Sequence, residues 1–537
     1  MIRAAHLTVT YAGRERPTVM DASLAVAAGE MVLITGPTGC GKSTLLNCLN
    51  GILFHESEAT VLGRVEVCGR DVRTTPLVDL CRVVGSVFQN PDSQLCTATV
   101  ESEVAFGLEN LAVDRVTMIE RIREALDIVG LTHLASARTA TLSGGQKQRL
   151  AIACALALEP EVLLLDEPIS QLDPEGAEEI LGVIARLRRE HNRAVVVVEH
   201  RIEDVAALAD RIVLMDQGRI VCDQVRSNAF VDLTPLQRLG LAVPQLAELF
   251  SRLGRSERPL HADEAPVLDL RSRPAEAEPR AGDAAPVLAR LDGLRFRYAK
   301  GGPEVIPPLD MDLRWGERVA LMGANGSGKS TLLHLLAGAL KPVAGHVQWR
   351  ADATPEIGLV LQQPDLMLFQ ETVRDEVAFA PKHKGIDRHH REDTVDAAIR
   401  RMGLDDLAGD APFALSRGQR LRTAVASVLS IRPRVMLLDE PTTGQDRDQI
   451  ERMMDGLAED VDLLVFCTHD VETAARHANR VIVLANGRVA ADGSPRQVLL
   501  DEDKLVGSRI RPTRLQEYGR RLGVKTLGIE ELMAWLA

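Results

Sequence analysis

The chain has 537 residues, of which 45% are hydrophobic and 26% are charged, and its formal net charge is −13. This length is too great for one hydrophobic core, so about three or four domains of ordinary size are predicted. The acidic balance argues against a nucleic-acid-binding protein, because phosphate binding needs an excess of lysine and arginine, but it leaves room for a basic partner.

Cysteine usage and the apolar runs indicate the compartment. The eight cysteines are scattered, with no CxxC pair and no zinc-ligand spacing, which predicts reduced thiols in a cytosolic protein. The N-terminus lacks the apolar core of a signal peptide, and no apolar run approaches the roughly 18 residues of a membrane span. If the protein acts on a membrane, another chain is expected to supply the spans.

In the first half of the chain, short apolar runs alternate with helical patterns. Four runs are typical of strands in a sheet covered on both faces: Met31–Ile34, Val162–Leu165, Ala194–Val198 and Ile212–Leu214. The first run leads directly into a glycine-rich loop made of Gly36, Pro37, Thr38, Gly39, Cys40, Gly41, Lys42, Ser43 and Thr44. Its glycines let main-chain N–H groups converge on phosphate oxygens, while Lys42 reaches the β- and γ-phosphates and Ser43 ligates Mg²⁺. This loop predicts nucleotide binding.

Further along, a serine and two glycines begin a helix in the stretch Leu142-Ser143-Gly144-Gly145-Gln146. Twenty-three residues after Ser143, the second apolar run ends in Asp166-Glu167-Pro168. A helix start presents free N–H donors to an anion, and two acids at a strand end suit metal binding and general-base chemistry.

The second half of the chain repeats the first. Lys42 pairs with Lys329 at an offset of 287 residues, whereas Ser143 pairs with Ser416 at an offset of 273. Because Gln89 also pairs with Gln362 at an offset of 273, the second copy is 14 residues shorter (287 − 273) between its phosphate loop and its glutamine, where a surface hairpin or loop is expected to be trimmed. Matching strands are predicted at Val319–Met322, Val435–Leu438, Leu463–Phe466 and Val481–Leu484. The second phosphate loop contains Gly323, Ala324, Asn325, Gly326, Ser327, Gly328, Lys329, Ser330 and Thr331.

Between the copies, residues 253–286 carry five prolines and have no helical apolar period. Such a stretch cannot bury enough apolar surface to order itself, so a flexible linker is predicted. The predicted domains are residues 1–228 and 287–500, with C-terminal helical extensions at 229–252 and 501–537.

A serine–glycine helix start followed by a strand that ends in two acids is the signature of the ATP-binding-cassette (ABC) ATPases, which this sequence resembles in both copies. The resemblance implies an α/β fold with two tandem P-loop NTPase domains. Each domain would have a mixed sheet core, a helical subdomain carrying the serine–glycine motif, and a small C-terminal helical tail.

The resemblance also implies roles for matched residues, which bind ATP and Mg²⁺ in the family. Glu167 and Glu440 would be the general bases. His200 and His469 would be the switch histidines. Gln89 and Gln362 would be the glutamines that ligate metal and water. The Mg²⁺ ligands would be Ser43, Gln89, Asp166, Ser330, Gln362 and Asp439. Asp173 and Asp446 match the loop that crosses the domain interface, and Tyr11 and Tyr298 match the aromatic residue that stacks on adenine.

In the resembled family, each site joins the phosphate loop of one domain to the signature of the other. Site one would join Lys42, Glu167 and His200 to the signature Ser416, Arg417, Gly418 and Gln419. Site two would join Lys329, Glu440 and His469 to the signature Ser143, Gly144, Gly145 and Gln146. We expect the two domains of one chain to pair with each other.

Arg417 replaces the first signature glycine in the second copy. If this position needs a positive φ, the side chain costs about 1–2 kcal/mol. If the backbone is ordinary helix, Arg417 keeps the amide and adds a cation near phosphate. We expect site one to bind and hydrolyse ATP, with site two the more orthodox.

Three further stretches resemble the energy-coupling factor importers, which take up vitamins and, in relatives, cobalt or nickel. They are the segments after the glutamines (residues 92–107 and 365–379), the stretch Pro441 to Asp446, and the leucine–proline tails (residues 239–246 and 510–522). In the family such tails join the two ATPase subunits; the alternative is an amphipathic helix that covers its own domain. The implied partners are a transmembrane coupling protein and a substrate-binding membrane protein at the cytoplasmic face of the cell membrane.

Acids in the two post-glutamine segments are expected to meet basic helices of the coupling protein, although they could instead be an ordinary solvated face. They are Asp92, Glu101 and Glu103 in the first copy and Asp365, Asp375 and Glu376 in the second.

Two other classes remain as alternatives. A tandem ATPase of a peptide importer has the same domain plan, but a different post-glutamine segment is expected there. The soluble ABC translation factors also carry two cassettes, but a long charged helical linker that touches RNA separates them, whereas this linker is broken by prolines and the chain is acidic.

Overall fold

The computed structural model describes residues 1–13, 16–56, 58–170, 172, 174–270, 285–350, 356–442, 445 and 447–536. The chain divides into two compact units, Met1–Leu260 and His261–Ala537. Both predicted domain-crossing aspartates, Asp173 and Asp446, lie outside the described residues, as do residues 271–284 of the predicted linker.

The strands of the first unit form two sheets. They are β1 (Ile2–Thr10), β2 (Val19–Val26), β3 (Met31–Thr35), β4 (Thr60–Val67), β5 (Arg70–Asp71), β6 (Val84–Val87), β7 (Val162–Asp166), β8 (Ala194–Val198), β9 (Arg211–Asp216) and β10 (Arg219–Val225). The smaller sheet is antiparallel, in the order β2-β1-β4-β5. The larger has the order β10-β9-β3-β8-β7-β6 and is parallel except for β10.

Eleven helices are described in the first unit. They are α1 (Lys42–Leu49), α2 (Ile52–His55), α3 (Leu77–Leu80), α4 (Val100–Asn110), α5 (Arg115–Ile128), α6 (Gly144–Ala157), α7 (Pro174–His191), α8 (Ile202–Ala206), α9 (Arg226–Ala229), α10 (Thr234–Arg238) and α11 (Gln245–Arg252). Helices α4, α5 and α6 pack together as the predicted helical subdomain.

The second unit repeats this plan. Its strands are β11 (Val287–Phe296), β12 (Ile306–Arg314), β13 (Arg318–Met322), β14 (Ala344–Trp349), β15 (Ile357–Val360), β16 (Val435–Asp439), β17 (Leu463–Cys467), β18 (Arg480–Ala485) and β19 (Arg488–Gly493). The larger sheet has the order β15-β16-β17-β13-β18-β19, again parallel except at its last strand.

The helices described in the second unit again include a three-helix subdomain, made of Val373–His383, Arg388–Arg401 and Arg417–Leu429. They are α12 (Lys329–Leu336), α13 (Val373–His383), α14 (Arg388–Arg401), α15 (Arg417–Leu429), α16 (Arg447–Asp460), α17 (Val471–His477), α18 (Pro495–Leu499), α19 (Glu502–Gly507), α20 (Arg514–Arg521) and α21 (Ile529–Leu536). Across the described ranges of both units, every helix is too short or too polar to serve as a transmembrane span.

The sequence patterns explain this core. Every residue of β3, β7, β8, β16 and β17 is buried, as expected for strands covered on both faces. The eight predicted strands are confirmed, and so is the trimmed interval. The antiparallel sheet of the first unit has four strands, whereas that of the second has three among the described residues, in the order β12-β11-β14.

Four adjacent parallel strands position the candidate site in each unit. In the first unit, β3 leads into the phosphate loop, β6 ends two residues before Gln89, β7 ends at Asp166, and β8 ends two residues before His200. Because parallel strands end at the same edge of a sheet, these segments meet there, which is where ligands bind in open α/β sheets.

The C-terminal tail of the first unit covers its own domain. Leu236, Leu241, Val243 and Ala247 are buried in the same apolar cluster as the helical subdomain. This contact matches the alternative interpretation of the tail, and its role in joining two ATPase domains stays a prediction.

The beginning of the predicted linker differs from the expectation of flexibility. Ala262 and Ala265 are buried, Tyr518 Oη donates to the Pro266 carbonyl at 2.7 Å, and Arg521 Nη1 donates to the carbonyls of Ala262 and Ala265. Side chains of α20 therefore hold main-chain oxygens of residues 262–266. The sequence pattern missed this contact because isolated alanines and carbonyl groups carry no apolar period.

Candidate nucleotide-binding sites

Both phosphate loops turn sharply into a helix. Gly41 and Gly328 directly precede α1 and α12 with φ of 104° and 102°. A Cβ on Gly41 would lie 2.5 Å from the Thr18 carbonyl oxygen, and one on Gly328 would lie 2.8 Å from Ile306 Cδ1. The left-handed backbone therefore favours glycine at both turns, and at Gly41 the main-chain oxygen also leaves no space for a Cβ.

The loop lysines are held in the same way in both units. Lys42 Nζ donates to the carbonyls of Gly36 at 2.8 Å and Pro37 at 2.9 Å. Lys329 Nζ donates to the carbonyls of Gly323 at 2.8 Å and Ala324 at 3.1 Å. Each ammonium group is buried beside the main-chain amides at the helix start, so the loop presents positive charge to an anion.

Two predicted metal-binding aspartates lie where β7 and β16 end. Burial is the larger effect on the pKa of both aspartates, but the Ser43 hydroxyl acts to lower the pKa of Asp166 and the Ser330 hydroxyl acts to lower that of Asp439. Burial and the neighbouring charge of Glu167 raise the pKa of Asp166 to about 7, and burial likewise raises the pKa of Asp439. The Oδ1 atoms of both aspartates are buried without a hydrogen-bond partner among the described residues.

The predicted general bases follow these aspartates in an uncommon backbone conformation. Glu167 and Glu440 have φ of 48° and 50°, in the left-handed region that side chains other than glycine rarely adopt. Both are buried, with 7% of each residue exposed. Strain of this kind concentrates at functional positions, and here it recurs at matched positions of two domains.

In the first unit, the structure brings three predicted residues together. Gln89 Nε2 donates to Glu167 Oε2 at 2.8 Å, and His200 Nε2 lies 3.2 Å from Glu167 Oε1. Burial alone would raise the pKa of Glu167, but the hydrogen bond and charge of His200, together with Lys42, lower it to about 2. Glu167 is therefore ionised at neutral pH and able to accept a proton.

In the second unit, only two of the three matched residues meet. His469 Nδ1 lies 3.1 Å from Glu440 Oε2, and although burial opposes it, the charge and hydrogen bond of His469 lower the pKa of Glu440. Gln362 is exposed, and no hydrogen bond to Glu440 is described for it. The two units therefore differ in how the glutamine is held.

The predicted adenine-stacking tyrosines lie beside the phosphate-loop helices. Tyr11 Oη is 3.3 Å from Thr44 Oγ1, and Tyr298 Oη is 3.0 Å from Thr331 Oγ1. Tyr298 is 68% exposed and packs edge-to-face on Phe296. The position suits the predicted contact, which stays a prediction.

The two signatures begin their helices with the same geometry. Ser143 Oγ accepts from Gln146 N at 3.3 Å while Gln146 Oε1 accepts from Ser143 N at 2.9 Å. Ser416 and Gln419 repeat both distances at the start of α15. These capping boxes fix the first turn of α6 and α15 and leave its remaining N–H groups directed outward.

Comparisons with known proteins identify the family. A sequence profile described as ABC transporter matches residues 19–170 and 306–443. The chain belongs to the ABC transporter family. A relative named as a candidate ABC transporter ATP-binding protein of Methanosarcina acetivorans is 42% identical to this ABC ATPase over 586 residues, covering 99% of this chain and 90% of the relative.

Two further comparisons concern relatives with more specific names. A protein named as a candidate HMP/thiamine import ATP-binding protein of Bacillus subtilis is 34% identical over 526 residues, covering 94% of each chain. The solved structure of cbiO1 from Clostridium perfringens, described as part of the ABC transporter complex cbiONQ, is 30% identical. It covers 47% of this chain and 98% of its own, with a TM-score of 0.40.

As a member of this family, the chain is an ATPase that binds and hydrolyses ATP. Its residues also fit Mg²⁺. Serine hydroxyl, glutamine amide and aspartate carboxylate oxygens are hard donors of the type Mg²⁺ prefers, and each aspartate offers a buried oxygen without a hydrogen-bond partner among the described residues.

Arg417 does not strain the second signature of this ABC ATPase. Among the described residues, neither Gly144 nor Arg417 has a positive φ, and both lie in the first turn of a helix. A Cβ on Gly144 would meet no atom within 4 Å. Of the two alternatives, the left-handed backbone with its cost therefore does not apply, and Arg417 keeps its amide in ordinary helix.

We expect Gly144→Arg to be tolerated. Because the backbone is helical and the space is open, the free energy of unfolding should change by less than about 1 kcal/mol. Gly145→Val is the matched comparison, since a Cβ there would lie 3.1 Å from Leu172 Cδ2 and the larger side chain should cost more. Thermal unfolding of the full chain measures both. Equal losses for the two variants would contradict this account of the signature.

Two of the six acids predicted to meet a partner are not available to one. Glu103 is 5% exposed and accepts from Cys96 N at 3.1 Å and Thr97 N at 2.6 Å. Glu376 is 2% exposed and accepts from Phe369 N at 2.7 Å and Gln370 N at 2.8 Å. The prediction is wrong for these two acids, because they satisfy the N–H groups of the loop that precedes their own helix.

Two more of those acids form ion pairs within their own unit. Asp92 pairs with Lys147 of α6 at 2.5 Å, and Asp365 pairs with Arg420 of α15 at 2.7 Å. Their matched positions link the post-glutamine segment to the signature helix in both units. Sequence reasoning missed Lys147 and Arg420, although these two basic residues are related by the same offset as Ser143 and Ser416.

Sequence reasoning also missed Glu199, the residue between β8 and His200. It is fully buried, and burial together with the charge of Glu167 raises its pKa to about 7. One signal in the sequence could have pointed to Glu199. The two copies differ at this position, because the residue before His469 is Thr468.

Proposed function

We propose that this ABC ATPase is the motor subunit of an energy-coupling factor importer. ATP hydrolysis at two composite sites would drive uptake of a vitamin or of a transition metal ion such as cobalt or nickel through separate membrane subunits. The observation that carries the proposal is the post-glutamine segment, which has the same architecture in both units. The relative named for HMP/thiamine import, whose match covers 94% of this chain, supports it.

Within each site, the chain's own residues divide the work. Glu167 is ionised and accepts the proton of the attacking water, while His200 and Gln89 hold the carboxylate in place. Glu440 and His469 have the same roles in the second unit. Lys42 and Lys329 bind the β- and γ-phosphates.

The metal and the opposite signature complete each site. Mg²⁺, when bound, neutralises charge on the phosphate oxygens, and Ser43, Gln89 and Asp166 would hold it in one site. Ser330, Gln362 and Asp439 would hold it in the other. The N–H groups after Ser143 and Ser416 bind the γ-phosphate held by the opposite domain, with both domains supplied by one chain.

The post-glutamine segments are suited to transmitting this chemistry to a membrane partner. Each is tied to the signature helix by an ion pair and is capped by one buried glutamate. Each also exposes large apolar side chains: Phe106 in the first unit, and Leu366 and Phe369 in the second. We assign these surfaces to helices of a transmembrane coupling protein, which works with a substrate-binding membrane protein at the cytoplasmic face.

The test is to purify the complex from solubilised membranes and identify its companions. We expect two integral membrane proteins, and ATP-dependent uptake of a vitamin or of cobalt or nickel in vesicles. A peptide-binding companion would favour the peptide-importer alternative. Recovery with ribosomes instead of membranes would overturn the proposal in favour of a translation factor.

A surface substitution tests the docking assignment. Leu366→Ser should lower recovery of the coupling protein at least about fivefold, because the side chain is 72% exposed and apolar contact would be lost. Val343→Ser is the matched control, since Val343 is 52% exposed in the same unit but belongs to the antiparallel sheet region. Co-purification at equal expression measures both. Equal recovery of the two variants would remove the surface from the proposal.

A further inference from the structure

The carboxylate of Glu199 ties two catalytic segments of the first unit together. The residue is 0% exposed. Its Oε1 accepts from Ile169 N at 3.0 Å, and its Oε2 accepts from His200 N at 3.0 Å and from Arg201 N at 3.4 Å. A buried carboxylate is costly unless hydrogen-bonded, and here three main-chain donors satisfy it.

Arg201 holds the same turn from its other side. Its Nη1 donates to the Ile169 carbonyl at 3.3 Å and to the Leu172 carbonyl at 3.4 Å, while its Nε donates to Asp204 at 2.7 Å. Glu199 therefore binds the N–H group of Ile169, and Arg201 binds the carbonyl groups of Ile169 and Leu172. We call Glu199 and Arg201 the turn clamp.

The two segments that the turn clamp joins each lie next to a predicted catalytic residue. Ile169 comes two residues after Glu167, and His200 stands between the two clamp residues. The contact between His200 Nε2 and Glu167 Oε1, at 3.2 Å, joins the same two segments. Any shift of Ile169 and Leu172 against the loop after β8 would therefore change the geometry of that contact.

The second unit carries different residues at these positions. The matched stretch is Thr468-His469-Asp470, in which Thr468 Oγ1 accepts from Asp470 N at 3.0 Å and Asp470 caps α17. On the other side, Gln445 Nε2 donates to the Pro441 carbonyl at 2.9 Å. In the part of this unit that the structure describes, Thr468 and Asp470 therefore bond within their own loop and helix start, and Gln445 bonds within its own turn. The turn clamp is thus a feature of the first unit.

We propose that Glu199 and Arg201 are positioning residues that fix His200 against Glu167 in the first unit, so that hydrolysis at the site containing Glu167 depends on them. The proposal rests on the roles proposed above for Glu167 and His200. It predicts an effect on turnover and not on nucleotide affinity, because neither clamp residue belongs to the phosphate loop.

The test uses the full chain carrying Glu440→Gln, so that turnover reports the site with Glu167. Glu199→Thr, which introduces the residue of the second unit, should lower kcat about tenfold and leave KM for ATP within about twofold. The kcat of Glu199→Gln should lie between those of the parent and of Glu199→Thr, since the glutamine amide keeps one acceptor oxygen but loses the other. Nucleotide-binding stoichiometry, measured on the same samples, normalises kcat to folded protein.

A matched control separates the turn clamp from general loss of a carboxylate. Glu30 Oε2 accepts from Ala27 N at 2.7 Å in the same unit, but Glu30 precedes β3 at the opposite edge of the sheet. Glu30→Thr should keep kcat within about twofold of the parent. Arg201→Gln removes the carbonyl contacts from a partly exposed position, so it decides the question if Glu199→Thr does not fold.

The possible failures can be told apart. If Glu167→Gln leaves turnover unchanged in this background, the proposed function of the site is wrong. If Glu167→Gln abolishes turnover but Glu199→Thr and Arg201→Gln keep kcat within twofold, the turn clamp is overturned. A rise of KM matching the fall of kcat also overturns it. If Glu440→Gln alone stops both sites, the same variants are compared in the native chain, where Glu199→Thr should still lower kcat and Glu30→Thr should not.

Discussion

Replacing both Glu167 and Glu440 with glutamine should lower ATP hydrolysis by the full chain at least about 100-fold. Each carboxylate is buried, and each has its pKa lowered by a histidine, so both are ionised and able to accept a proton at neutral pH. Glutamine has nearly the same shape but cannot accept that proton. Phosphate release at saturating ATP measures the effect, and nucleotide binding should persist because Lys42 and Lys329 are unchanged.

The two single variants should differ. The site with Glu440 is expected to use the unaltered signature that begins at Ser143, so Glu440→Gln should remove the larger share of turnover. The structure removes backbone strain at Arg417 as a reason for this asymmetry, which leaves the side chain itself and the different placement of Gln89 and Gln362. Equal losses from the two single variants would contradict the asymmetry.

Glu376→Lys should destabilise the second unit by about 3 kcal/mol or more. Glu376 is 2% exposed, and its carboxylate accepts N–H groups from both Phe369 and Gln370. Lysine would bury a positive charge against these same donors and leave them unsatisfied. Thermal or urea unfolding of the full chain, followed by a probe in this unit, measures the loss.

Two companion variants separate burial from charge. Glu376→Gln keeps an acceptor oxygen and should cost less than the lysine variant. Glu101→Lys reverses a charge on the exposed face of α4 and should change stability by less than about 0.5 kcal/mol. If Glu376→Lys unfolds at the parent temperature, the loop-capping role of the glutamate is wrong.

Features written in a few consecutive residues could be predicted from the sequence. The phosphate loops, the signatures and the acids at strand ends each depend on a local turn, a helix start or a buried strand, and a second copy at a matched offset excluded coincidence. The structure places Gln89, Glu167 and His200 together because adjacent parallel strands end at one edge of the sheet. This arrangement follows from strand order, which the apolar runs alone did not predict.

Features that depend on which face of an element turns inward could not be predicted. Glu103 and Glu101 are two residues apart on α4, and only the first satisfies loop N–H groups. Glu199 follows a run of valines and looks like a solvated strand end, yet it is buried and accepts from Ile169 N of a distant turn as well as from the next residue, His200 N. Main-chain partners leave no pattern in the sequence, so such contacts emerge only when the chain is folded.

The contact between α20 and residues 262–266 bears on how the two cassettes can be divided. Tyr518 and Arg521 bind carbonyl oxygens that precede the second cassette in the chain. If the two cassettes were produced separately, the second would keep these hydrogen bonds only if it began at or before His261. A protease cut or a gene break after Val267 would instead leave residues 262–266 on the first fragment. The end of the C-terminal tail would then lack its main-chain partners.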